Sequence, residues 1–250
     1  MYYCVGLTEK GNRPNNEDAF LINKSFFNDG NSVSYLSPPF VIAVADGVSG
    51  NNYGEIASKI CLSALKGIRC SSKTDWRKKA LHIHAVVKRH GITHPNHANM
   101  QTTLCMLAVD EKNCVSAVNI GDSRLYLFRN CQLRQLSKDQ SLVQLLYERG
   151  CITSGQKRTH PQKNVILPAI GNVSEPPKPD VTNFNEKMKY GDLFILCTDG
   201  LSDYVSEHEI EEILNLPMNL TKRLALLTKT ALENGSQDNI TIVGISPVKL

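Results

Sequence analysis

Short runs of aliphatic and β-branched residues recur along the chain, and most are bounded by Gly, Asn or Asp. Runs of this length and composition are typical of strands in a protein core. The predicted strands cover residues 2–7, 18–23, 40–45, 103–109, 114–119, 124–129, 193–198 and 240–245. Elsewhere apolar residues recur at spacings of three and four, which is the pattern of one buried helix face. The predicted helices cover residues 54–68, 75–90, 138–149, 206–215 and 219–233.

The order of these elements does not alternate strictly between strand and helix. Two helices follow the third strand, a run of strands comes next, and two further helices precede the last strand. This grouping predicts antiparallel sheets covered by pairs of helices, an α+β fold. The Gly- and Pro-rich stretch 150–180 is expected to be irregular, and we assign it to the same domain as the rest.

Composition narrows the function classes. The chain has 250 residues, of which 41% are hydrophobic and 21% charged, which suits an ordinary globular fold. A formal net charge of +4 is too small to indicate a nucleic-acid-binding protein. The eight cysteines have no metal-ligand spacing. Neither a secretory signal nor an apolar run of membrane-spanning length is visible, so we expect a soluble, cytoplasmic protein.

Aspartates lie at the ends of several predicted strands. Asp46 and Asp199 each follow an apolar strand and precede a glycine, and Asp122 ends the stretch AVNIGD. Asp238 and Asp18 each come just before a strand. One Asp-Gly pair is usually only a turn. Several carboxylates at one rim of a core repel each other, and a hard divalent cation such as Mg²⁺ or Mn²⁺ removes that cost.

Sequence motifs in a fixed order resemble those of one known family. They include GLTEKGNRPNNEDAF, VIAVADGVSG, VNIGDSRLYLFRN, GDLFILCTDGLSDYVS and GSQDNITIVGI. Together they resemble the bacterial form of the PP2C-type (PPM) metal-dependent Ser/Thr protein phosphatases. The resemblance implies a four-layer αββα sandwich, in which two antiparallel sheets are flanked by helix pairs. It covers almost the whole chain and implies a single phosphatase domain over residues 1–250.

The resemblance also implies a set of metal ligands. Asp46 matches the aspartate that bridges two metal ions, and the Gly47 carbonyl matches a ligand of one of them. Asp199 and Asp238 match ligands of the other ion. Asp122, together with Asp199, matches the pair that holds a third, weaker ion in bacterial members. The implied cofactors are therefore Mn²⁺ or Mg²⁺, with two ions and a third in bacterial members.

Two further residues and one segment receive roles from the resemblance. Asp18 matches an outer acidic residue that holds metal-bound water, and Arg13 matches the arginine that grips the substrate phosphate. With Asp46 they are the predicted catalytic residues. Residues 139–180 match the family's flap. The implied reaction is hydrolysis of phosphoserine or phosphothreonine by direct attack of metal-activated water.

The predicted partners follow from that reaction. We expect phosphoprotein substrates and a cognate bacterial Ser/Thr kinase that the enzyme opposes in signalling. We expect a monomer, with no nucleic acid and no membrane as partner. Two other classes stay open from the residues alone: a catalytically weak binding or regulatory module, and a metal-dependent nuclease or other phosphodiesterase. Hydrolysis of a phosphothreonine peptide, and its dependence on metal, separates the three.

Some positions depart from the family pattern or invite another reading. Val48, Ser49 and Gln101 replace residues that are usual in the family, which affects the expected rate and substrate preference but removes no metal ligand. The histidines at 90, 94 and 97 have no zinc-ligand motif, and we interpret them as loop residues.

Overall fold

The structure is a computed structural model, and it describes residues 1–48, 53–184 and 187–249. Ser49 lies outside the described residues. The strands are β1 (Tyr2–Glu9), β2 (Ala19–Ile22), β3 (Ser25–Phe27), β4 (Gly30–Leu36), β5 (Phe40–Ala45), β6 (Leu104–Val109), β7 (Val115–Ile120), β8 (Arg124–Arg129), β9 (Gln132–Gln135), β10 (Asp180–Phe184), β11 (Leu193–Cys197) and β12 (Ile240–Pro247). The helices are α1 (Gly54–Lys66), α2 (Trp76–Thr93), α3 (Leu142–Glu148), α4 (Ser154–Thr159), α5 (Asp199–Ser202), α6 (Glu207–Asn215) and α7 (Leu220–Glu233).

The strands form two antiparallel sheets of six strands each. The first sheet has the order β4-β1-β12-β11-β8-β9, and the second has the order β10-β7-β6-β5-β2-β3. Their facing sides share one apolar core, which contains Phe20, Ile42 and Leu107 of the second sheet and Phe194 and Val243 of the first. The two sheets therefore pack face to face.

Helices cover both outer faces of this sandwich. Leu62 of α1 and Ile83 of α2 are buried against the second sheet. Ile210 of α6 and Leu224 of α7 are buried against the first sheet. Complete burial of such a side chain contributes about 1.5–3 kcal/mol, so each helix pair is held mainly by its apolar stripe. The layers run helix, sheet, sheet, helix, and the predicted α+β sandwich is confirmed.

Local capping explains where the predicted helices begin. In α6 the Ser206 and Glu209 side chains form a reciprocal capping box. The helix predicted over 138–149 begins only at Leu142, because the Ser141 side chain caps it there. The stretch 150–180, predicted to be irregular, contains the short helix α4, which has a Thr153–Gln156 capping box.

The sequence missed four strands, namely β3, β4, β9 and β10, and each lies at an edge of one of the two sheets. Among the described residues, no helix is both long enough and apolar enough to cross a lipid bilayer.

Candidate active site

Antiparallel register brings the five aspartates to one end of the sandwich. In the second sheet Ala19 pairs with Ala45, which places Asp18 beside Asp46 at that end. Because β5 pairs with β6 and β6 pairs with β7, the residues that follow β7 lie at the same end, and Asp122 is one of them. In the first sheet Cys197 pairs with Ile242, so Asp199 after β11 and Asp238 before β12 meet there too.

Two threonines hold the backbone of Asp46. The Thr103 hydroxyl accepts from the Asp46 amide at 3.0 Å, and the Thr102 hydroxyl donates to the Asp46 carbonyl at 2.8 Å. The next residue, Gly47, lies against α1 so closely that a Cβ there would clash with the carbonyl carbon of Gly54. Only glycine fits this position, and the Asp46-Gly47 pair is therefore fixed more firmly than an ordinary surface turn.

Asp18 precedes β2 of the second sheet and is hydrogen-bonded to Thr198, which follows β11 of the first sheet. Its side chain is only 2% exposed, and its Oδ2 accepts a hydrogen bond of 2.7 Å from the Thr198 hydroxyl. Burial raises the pKa of the Asp18 carboxyl to about 8, although the Thr198 and Thr241 hydroxyls oppose that rise and nearby Asp199 adds to it. A carboxyl group buried this deeply suits a residue that does not bind the metal directly but bonds to water or to hydroxyls.

In Asp46, Asp122 and Asp199, the charged form of the carboxyl group is disfavoured by desolvation and by the charges of neighbouring aspartates. Burial, followed by the charge of Asp199, raises the pKa values of both Asp46 and Asp122 well above the ordinary aspartate value. Burial, followed by the charge of Asp203, raises the pKa of Asp199 to about 7. The Asp46 and Asp199 side chains therefore lie close enough to affect each other's protonation directly.

These observations test whether a divalent cation suits the site. The buried Oδ1 of Asp122 has no hydrogen-bond partner, and a cation would satisfy it. Within the described ranges, no three His, Cys, Asp or Glu side chains converge closely enough to hold one ion between them. That arrangement does not suit zinc, but it does suit Mg²⁺, which keeps several waters and takes only one or two protein carboxylates. The residues therefore fit hard, partly hydrated cations.

Arg13 approaches the same cluster from the loop between β1 and β2. Its Nη2 donates to Asp238 Oδ2 at 2.9 Å, and its side chain is 40% exposed. Asn239 anchors this loop, because its Nδ2 donates to the carbonyls of Lys10 and Asn15. Arg13 thus lies at the rim of the aspartate cluster, where its guanidinium can reach an incoming anion.

A cleft opens between this end of the sandwich and the segment that contains α3 and α4. It encloses about 440 Å³ and is lined by Asp122, Asp199, Arg124 and Asp139, with Lys163 on the opposite side. Lys163 Nζ lies 2.9 Å from Asp203 Oδ2, which connects the segment to the loop after α5. The sequence had singled out neither Asp139 nor Asp203, since neither lies directly at the end of a strongly apolar strand.

The sequence model described as Protein phosphatase 2C matches residues 12–237. The chain belongs to the protein phosphatase 2C family. It is 32% identical to the serine/threonine phosphatase Stp of Listeria welshimeri over 81% of this chain and 82% of that protein. It is 34% identical to the phosphatase PstP of Mycobacterium tuberculosis over 81% of this chain, but spans only 39% of that relative's length.

A solved structure agrees with the family assignment. The catalytic domain of a PstP phosphatase, in complex with two manganese ions, superposes with a TM-score of 0.78 and 27% identity over 100% of both chains. The predicted enzyme class, a protein-serine/threonine phosphatase of the PP2C type, is confirmed.

The three histidines lie together at the C-terminal end of α2. His90 lies in the last turn of α2, not in a loop as predicted, while His94 and His97 follow the helix. Their rings are stacked nearly parallel, with centroids 4.0 to 5.7 Å apart. His90 Nε2 and His97 Nδ1 lie 3.0 Å apart and share a hydrogen bond, so these two rings are hydrogen-bond partners of each other.

We expect the metal-free phosphatase to lose stability as the pH rises. The folded pKa values of Asp18 and Asp199, about 8 and about 7, exceed the ordinary value of 3.8. The folded state therefore keeps protons that the unfolded state has lost, and the free energy of unfolding falls between about pH 4 and pH 8. A rise of two in a single pKa corresponds to roughly 3 kcal/mol, so the expected loss is at least that size, or a fall of at least about 6–12 °C in Tm.

Thermal unfolding in EDTA across that pH range measures this effect, and Mn²⁺-saturated protein is the control, since a bound cation favours the ionised carboxylates. A metal-free protein that is more stable at about pH 8 than at about pH 5 would contradict the assignment of these raised pKa values.

Proposed function

We propose that this phosphatase hydrolyses phosphoserine and phosphothreonine in proteins by direct attack of water, with Mn²⁺ or Mg²⁺ held around Asp46. The observation that carries the proposal is the convergence of the half-buried Asp46, Asp122 and Asp199 at one end of the sandwich, where one buried oxygen of Asp122 has no hydrogen-bond partner. Such a cluster is costly in the absence of a cation, because burial and the neighbouring carboxylates disfavour the charged form of each aspartate.

The proposed ligands divide into two groups. Asp46 and the Gly47 carbonyl would hold one ion, and Asp46 would share a second ion with Asp199 and Asp238. Because no three such side chains converge on one point among the described residues, Asp46, Asp199 and Asp238 would have to move closer together around that ion. Asp122 with Asp199 would hold a third ion. When bound, the ions supply positive charge that lowers the pKa of water and neutralises the phosphoryl oxygens.

Arg13 and Asp18 would act beside these ligands. Arg13 offers two parallel N–H donors, which match two oxygens of a phosphate in a way that the single ammonium of lysine does not. Asp18 would orient water from its buried position, where the Thr198 hydroxyl fixes one of its oxygens. Neither residue forms a covalent bond to phosphorus in this proposal, so no phosphoenzyme arises.

We further propose that residues 139–180 form a flap on a single domain and cover the substrate. The 440 Å³ cleft lies between this segment and the aspartates, and the Lys163–Asp203 contact of 2.9 Å connects its two sides. The substrates would be phosphoproteins made by a bacterial Ser/Thr kinase that this phosphatase opposes in the cytoplasm.

Hydrolysis of a phosphothreonine peptide by the purified chain tests the proposal. We expect turnover with Mn²⁺ or Mg²⁺, loss of turnover in EDTA, and its return when the metal is restored. The exposed Asp29 provides a matched control, because Asp29→Asn removes a carboxylate that lies outside the aspartate cluster. Turnover that survives EDTA would exclude this mechanism. Turnover of a phosphodiester but not of the phosphopeptide would identify a phosphodiesterase instead.

A further inference from the structure

Arg124 lies two residues after Asp122, yet its charge is directed to another aspartate. Its Nε donates to Asp139 Oδ1 at 3.0 Å and its Nη2 donates to Asp139 Oδ2 at 2.7 Å. Its remaining nitrogen, Nη1, donates to the Tyr126 hydroxyl at 3.1 Å. Every nitrogen of the guanidinium is therefore occupied, and none of these bonds goes to Asp122.

Asp122, unlike Arg124, has an atom without a hydrogen-bond partner. Its Oδ1 is buried without a hydrogen-bond partner, although Arg124 lines the same cleft. An arginine in the same cleft as an unsatisfied carboxylate would ordinarily pair with it, since a bidentate pair of that kind is a strong contact. The Arg124 guanidinium instead forms its bidentate contact with the carboxylate of Asp139.

Asp139 is itself fixed in place by its neighbours. Gln135 Nε2 donates to Asp139 Oδ1 at 2.8 Å. The amide of the next residue, Gln140, donates to the Gly121 carbonyl at 2.8 Å, beside Asp122. The Asp139 side chain is almost completely buried. Asp139 therefore cannot easily follow Arg124 if the guanidinium turns toward Asp122.

We propose that Asp139 is a positioning residue that holds Arg124 away from Asp122 and so keeps Asp122 available as a cation ligand. The inference rests on the proposed function, because it assumes that Asp122 binds a divalent ion. It assigns no contact with metal or substrate to Asp139. Its effect on the ion is indirect, through the location of one positive charge.

The substitution Asp139→Asn tests this role by removing the charge that retains Arg124. The released guanidinium would pair with Asp122 and compete with the cation. We expect the dissociation constant of the weakest-bound Mn²⁺ to rise by about tenfold or more, since two unit charges in contact interact strongly in a partly buried site. The free-ion paramagnetic resonance signal measures Mn²⁺ binding directly, without turnover.

The double variant Arg124→Met/Asp139→Asn separates positioning from a general structural role. It removes the competing charge together with its partner, and replacing a buried ion pair by neutral groups is often tolerated. We expect its Mn²⁺ affinity to return to within about threefold of wild type. If Asp139→Asn alone does not fold, the double variant still decides, because a large loss of affinity there would mean that Asp139 binds the ion itself.

A matched ion pair on the same strand provides the control. Arg129 at the other end of β8 donates to both oxygens of buried Asp192, at 2.6 and 2.8 Å. Asp192→Asn should lower the unfolding temperature without changing Mn²⁺ affinity.

Two results would overturn the proposal: unchanged Mn²⁺ affinity in Asp139→Asn, or a double variant that binds Mn²⁺ no better than the single one. If wild type binds no Mn²⁺, the proposed function fails instead.

Discussion

Replacing Asp46 by asparagine should abolish turnover and at the same time stabilise the metal-free protein. The amide of Asp46→Asn can donate a hydrogen bond to a neighbouring carboxylate, and the substitution removes one charge from the half-buried cluster. Loss of the proposed bridging ligand should lower kcat by about a thousandfold or more, which is roughly 4 kcal/mol of transition-state stabilisation. Relief of repulsion should raise the Tm in EDTA at about pH 8 by roughly 4–8 °C.

Steady-state hydrolysis of a phosphothreonine peptide with saturating Mn²⁺ measures the first effect, and thermal unfolding with and without Mn²⁺ measures the second. Wild-type protein should gain stability from Mn²⁺, and the variant should gain much less, because linkage stabilises only a state that binds the ion. The exposed Asp29→Asn variant should behave like wild type in both measurements. A variant that loses activity and also loses stability in EDTA would indicate that Asp46 has a structural role.

The aspartates could be predicted because the local sequence determines where a strand ends. Asp46 and Asp199 follow fully buried strands, and such strands have a continuous apolar pattern that is easy to recognise. Their meeting in space depends on antiparallel register between distant segments, such as Cys197 opposite Ile242. The local sequence does not specify the register between distant strands. From the sequence, the prediction that these aspartates meet in space therefore depended on the family resemblance.

The strands that the sequence missed share a physical cause. Each lies at a sheet edge, with a neighbour on one side only, so fewer of its residues are buried. In β4, Gly30 and Asn31 come first and Ser32 and Ser34 then alternate with Val33 and Tyr35, which are 48% and 65% exposed. Pairing with β1 holds this segment as a strand despite its weak intrinsic preference.

The supporting threonines were also beyond prediction from local pattern. Thr198 is a buried residue between β11 and α5, and nothing in its neighbourhood indicates a hydrogen bond to Asp18, 180 positions earlier. Thr103 likewise bonds the Asp46 amide from a distant segment. Such contacts depend on how the two sheets pack, and packing is a property of the whole fold.

Replacing Arg13 by alanine should lower kcat/KM for a phosphopeptide by about a hundredfold, as expected for the loss of a bidentate, charge-assisted contact to phosphate. Arg13 now donates to Asp238, a proposed metal ligand, at 2.9 Å. A cation bound at Asp238 would compete for that carboxylate and release the guanidinium toward the substrate. Arg13 would then exchange one anion for another as metal and phosphate arrive.

This exchange gives the Arg13 variants a distinctive pattern. Arg13→Ala should bind Mn²⁺ at least as tightly as wild type, because Asp238 loses a competing partner, while its KM rises. Arg13→Lys should recover only part of kcat/KM, since an ammonium lacks the planar pair of donors. Lys10→Ala, an exposed cation on the same loop, is the matched control and should change kcat/KM by less than about twofold. If Arg13→Ala instead weakens Mn²⁺ binding and leaves KM unchanged, Arg13 supports the metal site rather than the substrate phosphate.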